Sequence, residues 1–303
     1  MCTARLRRGI AIITSIFKTY SDRHKTRALT AQTGSYDPHV GHRSFSAEID
    51  RLRAQATHGW KIELQKMNEY GLRDGMSILE VGSGPGYVTE QLLDSFPSAR
   101  ITALEILPEL SELARTRLQP VAGGRVDFVT RPLLDSGLPN DSFDFAIVRF
   151  VLQHLPDPQA AISEIKRVLK PGGKLCIVDI DDAVWGLTAP ALPEAAVILE
   201  HVGNLQAAQG GNRLIGRSLL RLLGQSGYTD PRSDIVSLHS DDLDIGTFLD
   251  QLHPDRFSSL VDAGEISASF FSGYVASYER LRQADDPTVI ALLFMACGTK
   301  TAV

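Results

Sequence analysis

The chain has 303 residues, 43% of them hydrophobic and 22% charged, with a formal net charge of −5. This is ordinary for a soluble globular protein and allows one large domain, or a domain plus a lobe. The acidic balance (pI near 5.9) argues against a nucleic-acid surface. The isolated Cys2, Cys176 and Cys297 support neither a zinc site nor a disulfide framework, and no apolar run reaches the roughly 18–20 residues that span a bilayer.

Residues 1–45 are polar and irregular, with Gly34, Pro38 and Gly41 as breakers. Within them, Arg5 to Lys18 is basic and then apolar. It reads as a weak targeting or membrane-surface segment, an extra helix over the site, or a misassigned start. His39 and His42 are close together but lack a second ligand pair, so they read as surface histidines and no metal is expected. Ser46 to Tyr70 reads as one helix, with Ile49, Leu52, Trp60, Ile62, Leu64 and Met67 as its apolar positions. Strands and helices then alternate: strands at 77–81, 100–105, 125–130, 143–148 and 174–180, and helices at 87–95, 108–118 and 157–169. That rhythm predicts a parallel sheet with helices on both faces. Lys170-Pro171-Gly172-Gly173 should stop a helix and start strand five. After Asp182 the pattern changes. Segments 233–239 and 288–297 read as two further strands, and 243–283 as helical.

The densest chemical signal is Ile78-Leu79-Glu80-Val81-Gly82-Ser83-Gly84-Pro85-Gly86. It reads as a buried strand, a glycine turn and a helix starting near Tyr87. Glycines here permit positive φ and let a ligand lie against bare backbone. The next apolar run ends in Glu105, about 20 residues on, where a carboxylate can grip ribose hydroxyls. Dinucleotides and S-adenosylmethionine both use this geometry. The dinucleotide pattern places its third glycine three residues after the second; here only Pro85 intervenes. Pyrophosphate is also poorly served by an acid beside the helix N-terminus, whereas an ammonium and a sulfonium welcome Glu80. The balance favours S-adenosylmethionine.

Taken together, four blocks in order and spacing resemble the class I S-adenosylmethionine-dependent methyltransferases. They are Glu80 to Gly86; Glu105; Asn140-Asp141-Ser142-Phe143-Asp144-Phe145 through His154-Leu155; and Val168-Leu169-Lys170-Pro171-Gly172-Gly173-Lys174-Leu175. The resemblance covers roughly residues 50 to 182 and is nearest to the small-molecule branch: quinone, sterol and natural-product enzymes of secondary metabolism. It implies that Glu80, Gly82, Ser83, Gly84 and Gly86 lie under the methionine half of the cofactor. Glu105 would take the ribose, Ile106 would flank the adenine, Leu133 would offer a backbone amide to it, and Arg149 would make a cofactor contact after strand four. The sequence departs from the family at Pro132, where an acid is common; Asp135 is three residues out of register to replace it. The resemblance also implies that an N-terminal tyrosine covers the cofactor, with Tyr36 the candidate and Tyr20 its competitor.

Other residues have two readings each. His154 is a general base near neutral pH or a structural bond in the loop after strand four. Asp181, in the cluster Asp179-Ile180-Asp181-Asp182, orients an acceptor amine or hydroxyl, or caps a turn. Trp185, Phe271 and Tyr274 wall an apolar substrate pocket, or belong to the core.

The expected architecture is α/β: a Rossmann-like seven-stranded sheet with its last strand, 288–297, antiparallel and beside strand five. Residues 1–45 would form an extension or lid, 46–182 the cofactor-binding core, and 183–303 a helical substrate cover carrying the last two strands. The expected activity is methyl transfer to a small-molecule oxygen, nitrogen or carbon nucleophile by in-line displacement. Competing readings are a protein or nucleic-acid methyltransferase, a cofactor-binding protein of the same fold that transfers no methyl, and a nicotinamide-dependent oxidoreductase. The expected setting is cytoplasmic, without nucleic acid or integral membrane as partner, and with a homodimer left open.

Overall fold

In the computed structural model, residues 34–39 and 44–301 are described. The segment Arg5 to Lys18, Cys2, Tyr20 and His42 lie outside them. Among the described residues no helix is long and apolar enough to cross a membrane, and no cluster of His, Cys, Asp and Glu is arranged to hold a metal.

The sheet is built from parallel pairings. Strands β1 (Ser77–Val81), β2 (Arg100–Glu105), β3 (Val126–Thr130), β4 (Phe143–Arg149) and β5 (Leu169–Asp179) lie in the order β3-β2-β1-β4-β5. Parallel strands covered on both faces are apolar at nearly every position. In β1, Ile78 and Leu79 are both fully buried, in separate core clusters on the two faces. Each such side chain contributes about 1.5–3 kcal/mol by leaving water.

The crossover helices follow their local signals. Helix α3 (Tyr87–Ser95) opens at Gly86, α4 (Pro108–Leu118) has proline in its first turn, and α5 (Pro158–Val168) begins behind Asp157, whose carboxylate accepts from Ala160 N at 2.9 Å. On α5, Ala161, Ile162, Ile165 and Val168 are buried at helical spacing, with Lys166 and Arg167 closing the last turn where the helix dipole favours cations.

Strand β8 (Thr288–Thr299) runs antiparallel beside β5, with Cys176 facing Cys297 in the register. This agrees with the expected place of the reversed strand. Among the described residues the sheet nevertheless has eight strands rather than seven. The extra one, β6 (Gly186–Ala189), continues past the end of β5 along the upper part of β8, while β7 (Thr229–His239) pairs with the other edge of β8. A Cβ on Gly186 would overlap the carbonyl of Ile290, so only glycine fits this approach.

Two helix expectations need correction. The helix read over 46–70 is two helices, α1 (Phe45–Thr57) and α2 (Trp60–Tyr70), broken at Gly59, which adopts φ 75°. The stretch 243–283 is not continuous either. It holds α8 (Ile245–Gln251), a 3-10 turn at Pro254–Arg256, the single turn α9 (Ser259–Asp262) and α10 (Ala268–Arg282). Between β6 and β7 lie α6 (Glu194–Ala207) and α7 (Leu219–Gln225). Lys170 to Gly173 also differs from a plain turn: it forms a bulge inside β5, whose pairing with β4 shifts register between Phe143 and Phe145.

Candidate functional site

The strand order reverses between β1 and β4, which is where an open α/β sheet leaves a crevice outside its carboxyl ends. The loops leaving these two strands touch. A Cβ on Gly82 would overlap the Val151 side chain, while Gly82 N and Ser83 N donate to Leu104 O at 2.8 and 3.1 Å. Gly82, Gly84 and Gly86 all have positive φ. Their surroundings differ: Gly86 packs on Ala114 and Leu118 of α4, whereas nothing lies within 4 Å of the Cβ position on Gly84. The middle glycine therefore faces open space, with bare backbone as its floor.

Two buried acids flank that space. Glu80 is 4% exposed and accepts from the Thr89 hydroxyl at 2.6 Å. Burial, aided by the nearby Glu105 charge and only partly offset by Thr89 and Arg149, pushes its pKa up to about 8. Among the described residues no cation pairs with it. Glu105 accepts from Gly84 N and Leu107 N, both at 2.8 Å, so one carboxylate ties β2 to the glycine loop. Burial raises its pKa, and the amides it accepts from oppose the rise. Each oxygen keeps a second lone pair for a hydroxyl donor. Ile106 follows at half-burial. Leu133 opens a 3-10 turn behind Pro132, packed against the core on the α5 face.

Tyr36 enters from the N-terminal side. Its hydroxyl donates to Glu48 Oε1 at 2.8 Å, and Glu48, fully buried, pairs with Arg51 at 2.6 Å. The Tyr36 pKa is raised by burial and by Glu48, with Glu105 contributing. The ring lies 5.4 Å from that of His154.

His154 sits on the 3-10 turn after β4. Its Nδ1 lies 3.1 Å from Ser35 Oγ and 3.4 Å from Gln206 Nε2, and its carbonyl accepts from Ser35 N at 2.9 Å. Burial, reinforced by Arg213 and Arg51, pushes its pKa down to about 3. The imidazole is neutral at neutral pH and fastens the Gly34–Tyr36 segment to the loop after β4.

The other residues singled out in the sequence have these surroundings. Arg149 is near enough for its charge to oppose the rise of the Glu80 pKa, but its donors are spent elsewhere. It grips Glu63 through two hydrogen bonds of 2.8 Å, donates to Gln55 O at 2.8 Å and stacks on Phe150, bolting α1 and α2 to the sheet. Asp181 caps the following turn at Ala183 N and spends both oxygens on Arg217, at 2.5 and 2.6 Å. Tyr274 is fully buried and donates to Leu252 O at 2.5 Å, which makes it core. Phe271 and Trp185 are half-buried against the same core. His39 pairs with Glu109 at the surface, 2.9 Å away.

Glu63 and Phe150 escaped sequence reasoning, while the acids flanking Asp181 show their partners only in the structure. Glu63 is separated from Arg149 by 86 positions; its only signal was an acid on the buried stripe of Trp60, Met67 and Tyr70. Phe150 holds φ 56° directly after β4, a strained conformation for an aromatic residue at the switch point. Asp179 accepts from Gln153 N and Ile180 N, and burial lifts its pKa to about 7. Asp182 pairs with Arg213.

Comparison with known proteins agrees with this geometry. Residues 79–177 match a family described as a methyltransferase domain. The chain is 31% identical over 145 residues to a malonyl-[acyl-carrier protein] O-methyltransferase of a Paenibacillus species, covering 47% of this chain and 49% of that one. It is 29% identical over 173 residues to a ubiquinone biosynthesis O-methyltransferase of Xanthomonas euvesicatoria, covering 52% and 69%. Among solved structures, a SAM-dependent methyltransferase from Methanosarcina mazei superposes with a TM-score of 0.52 at 18% identity, covering 78% of this chain and 98% of that one. The chain spans about half the length of the first curated relatives it matches. Residues 79–177 thus belong to the methyltransferase domain family, of the class I S-adenosylmethionine-dependent type.

Proposed function

We propose that the chain binds S-adenosylmethionine over the glycine loop and transfers its methyl group to a small-molecule acceptor, in a cytoplasmic setting. The observation that carries this reading is Glu80: a buried carboxylate with a raised pKa, no cation paired to it among the described residues, and open space over the neighbouring Gly84. A ligand with an α-ammonium suits the ionised form of Glu80 in charge, and a pyrophosphate does not. Glu105 stands where ribose hydroxyls would be received. Bound there, the cofactor would supply a methyl group on a sulfonium, whose positive charge already activates the leaving thioether.

The protein's part is then alignment and exclusion of water. Tyr36, held by Glu48 and by the Ser35–His154 bond, closes the N-terminal side. Val151 packs on Gly82 and fixes the floor. Alignment of this kind is worth about 7–11 kcal/mol. Of the two candidate bases, neither has the profile of a neutral-pH base: His154 is too acidic as an imidazolium, and Asp181 is committed to Arg217. Neither is assigned the removal of a proton from the acceptor.

The test is to incubate the purified protein with methyl-labelled S-adenosylmethionine and a cell extract, then fractionate by size. Label in the small-molecule fraction supports the proposal. Label confined to protein or nucleic acid would overturn the acceptor class.

A further inference from the structure

Three arginines from separate elements, Arg51, Arg213 and Arg256, lie close enough to feel one another's charge beside the loops that follow β4 and β5. Arg51 on α1 pairs with Glu48, and Glu48 receives the Tyr36 hydroxyl. Arg213, ahead of α7, pairs with Asp182 at the end of β5 and reaches Gln206 Oε1 at 3.4 Å. Gln206 in turn contacts His154, whose ring faces Tyr36. Hydrogen bonds, ion pairs and the one Tyr36–His154 ring contact therefore join the first two arginines.

The third is Arg256, in the 3-10 turn after α8. Helix α8 packs on α1, and Arg256 donates through Nη1 to the Gln251 carbonyl and, at 2.9 Å, to Gln251 Oε1. Its Nε is buried and has no hydrogen-bond partner. Glu48 and Asp182 are paired with the other two arginines, and among the described residues no carboxylate pairs with Arg256. On the same side, Asp182 Oδ1 is also buried without a partner. Burial, with Arg51 and Arg213 nearby, depresses the Arg256 pKa. An unpaired buried donor is costly, more so when charged. Leaving a guanidinium so placed is explained when a ligand anion completes it.

We infer that Arg256, with Arg51 and Arg213 behind it, forms an anion-binding subsite of the acceptor pocket, so that the methyl acceptor carries a carboxylate or phosphate group. The inference rests on the proposed methyltransferase reading, because it places the subsite beside the cofactor crevice. The unpartnered Nε and a second guanidinium N–H offer a bidentate grip, and Asp182 Oδ1 offers an acceptor to a hydroxyl or amine on the same molecule.

Calorimetry on the full chain tests it in two stages. Titration with S-adenosylhomocysteine comes first; its failure would count against the methyltransferase reading itself. The saturated protein is then titrated with inorganic phosphate as the probe. Binding in the millimolar range is expected, weakened at least tenfold in Arg256→Gln while S-adenosylhomocysteine affinity holds within about twofold. Absence of phosphate binding to the saturated wild type, or equal affinity in the variant, would overturn the subsite. Should Arg256→Gln fail to fold, Arg256→Lys carries the same test: the planar fork is lost, so a threefold or greater loss is expected, and no loss overturns the assignment.

Discussion

Cofactor affinity should rise with pH on the acid side of neutrality, and Glu80 sets the size of the effect. With its pKa near 8 in the free protein, Glu80 is protonated at neutral pH. A bound ammonium would require the ionised form, so binding must expel a proton. The competent fraction is about 1% at pH 6 and about 9% at pH 7, and apparent affinity scales with that fraction. The apparent Kd should therefore fall roughly tenfold over that unit, about 1.4 kcal/mol. The same shift bears on stability. An acid with a raised folded-state pKa contributes stability that is present below its unfolded value, near 4.5, and lost as pH rises through about 8. Saturating ligand should flatten that loss. The assay is isothermal titration with S-adenosylhomocysteine at several pH values, in buffers of two ionisation enthalpies to count the proton. A Kd that is constant with pH, or a slope unchanged in Glu80→Gln, would refute the role given to this carboxylate.

Other outcomes follow from the same geometry. Gly84→Ala places a Cβ in open space at φ 54°, so it should abolish ligand binding while destabilising by only about 1 kcal/mol in denaturant melts. Gly86→Ala instead drives a Cβ to 2.8 Å from the Ala114 side chain and should cost about 1–3 kcal/mol beyond the same φ strain, read as a lower Tm. Arg149→Met leaves Glu63 buried and unpaired, for a loss of about 3–5 kcal/mol that Glu63→Met in the same chain should largely restore. Tyr274→Phe removes one buried hydrogen bond, so about 1 kcal/mol of stability should go with methyl transfer unchanged; a selective fall in activity would move Tyr274 into the pocket.

What was legible in the sequence was whatever local pattern encodes. Strands β1 to β5 announce themselves as apolar runs because both faces are buried, and Glu80, the glycines and Glu105 stand at spacings fixed by one strand-turn-helix unit and its neighbour. Strand β6 gave no such signal. It has four residues, its Leu187 is exposed, and its pairing is with β8, about a hundred positions away. Gly59 lies within the stretch read as one helix, yet its positive φ turns that helix into two, and Arg149 reaches the carbonyls of Gln55 and His58 at the break. The arginine cluster was silent for a similar reason. Arg51 shows its i,i+3 partner Glu48, but Arg213 and Arg256 are single cations in loops, given meaning only by long-range packing. Tyr274 was open in another sense: an aromatic at helical spacing reads as core or as wall, and its full burial is visible only in the structure.

The central claim is that the crevice between β1 and β4 holds S-adenosylmethionine with Glu105 on its ribose. It is tested most directly by calorimetric titration with S-adenosylhomocysteine, in wild type and in Glu105→Ala, with NADH as the competing ligand. Micromolar binding by the wild type, a loss of at least tenfold in the variant and no heat from NADH are the predicted results. Binding of NADH instead, or S-adenosylhomocysteine affinity equal in both proteins, would contradict the account.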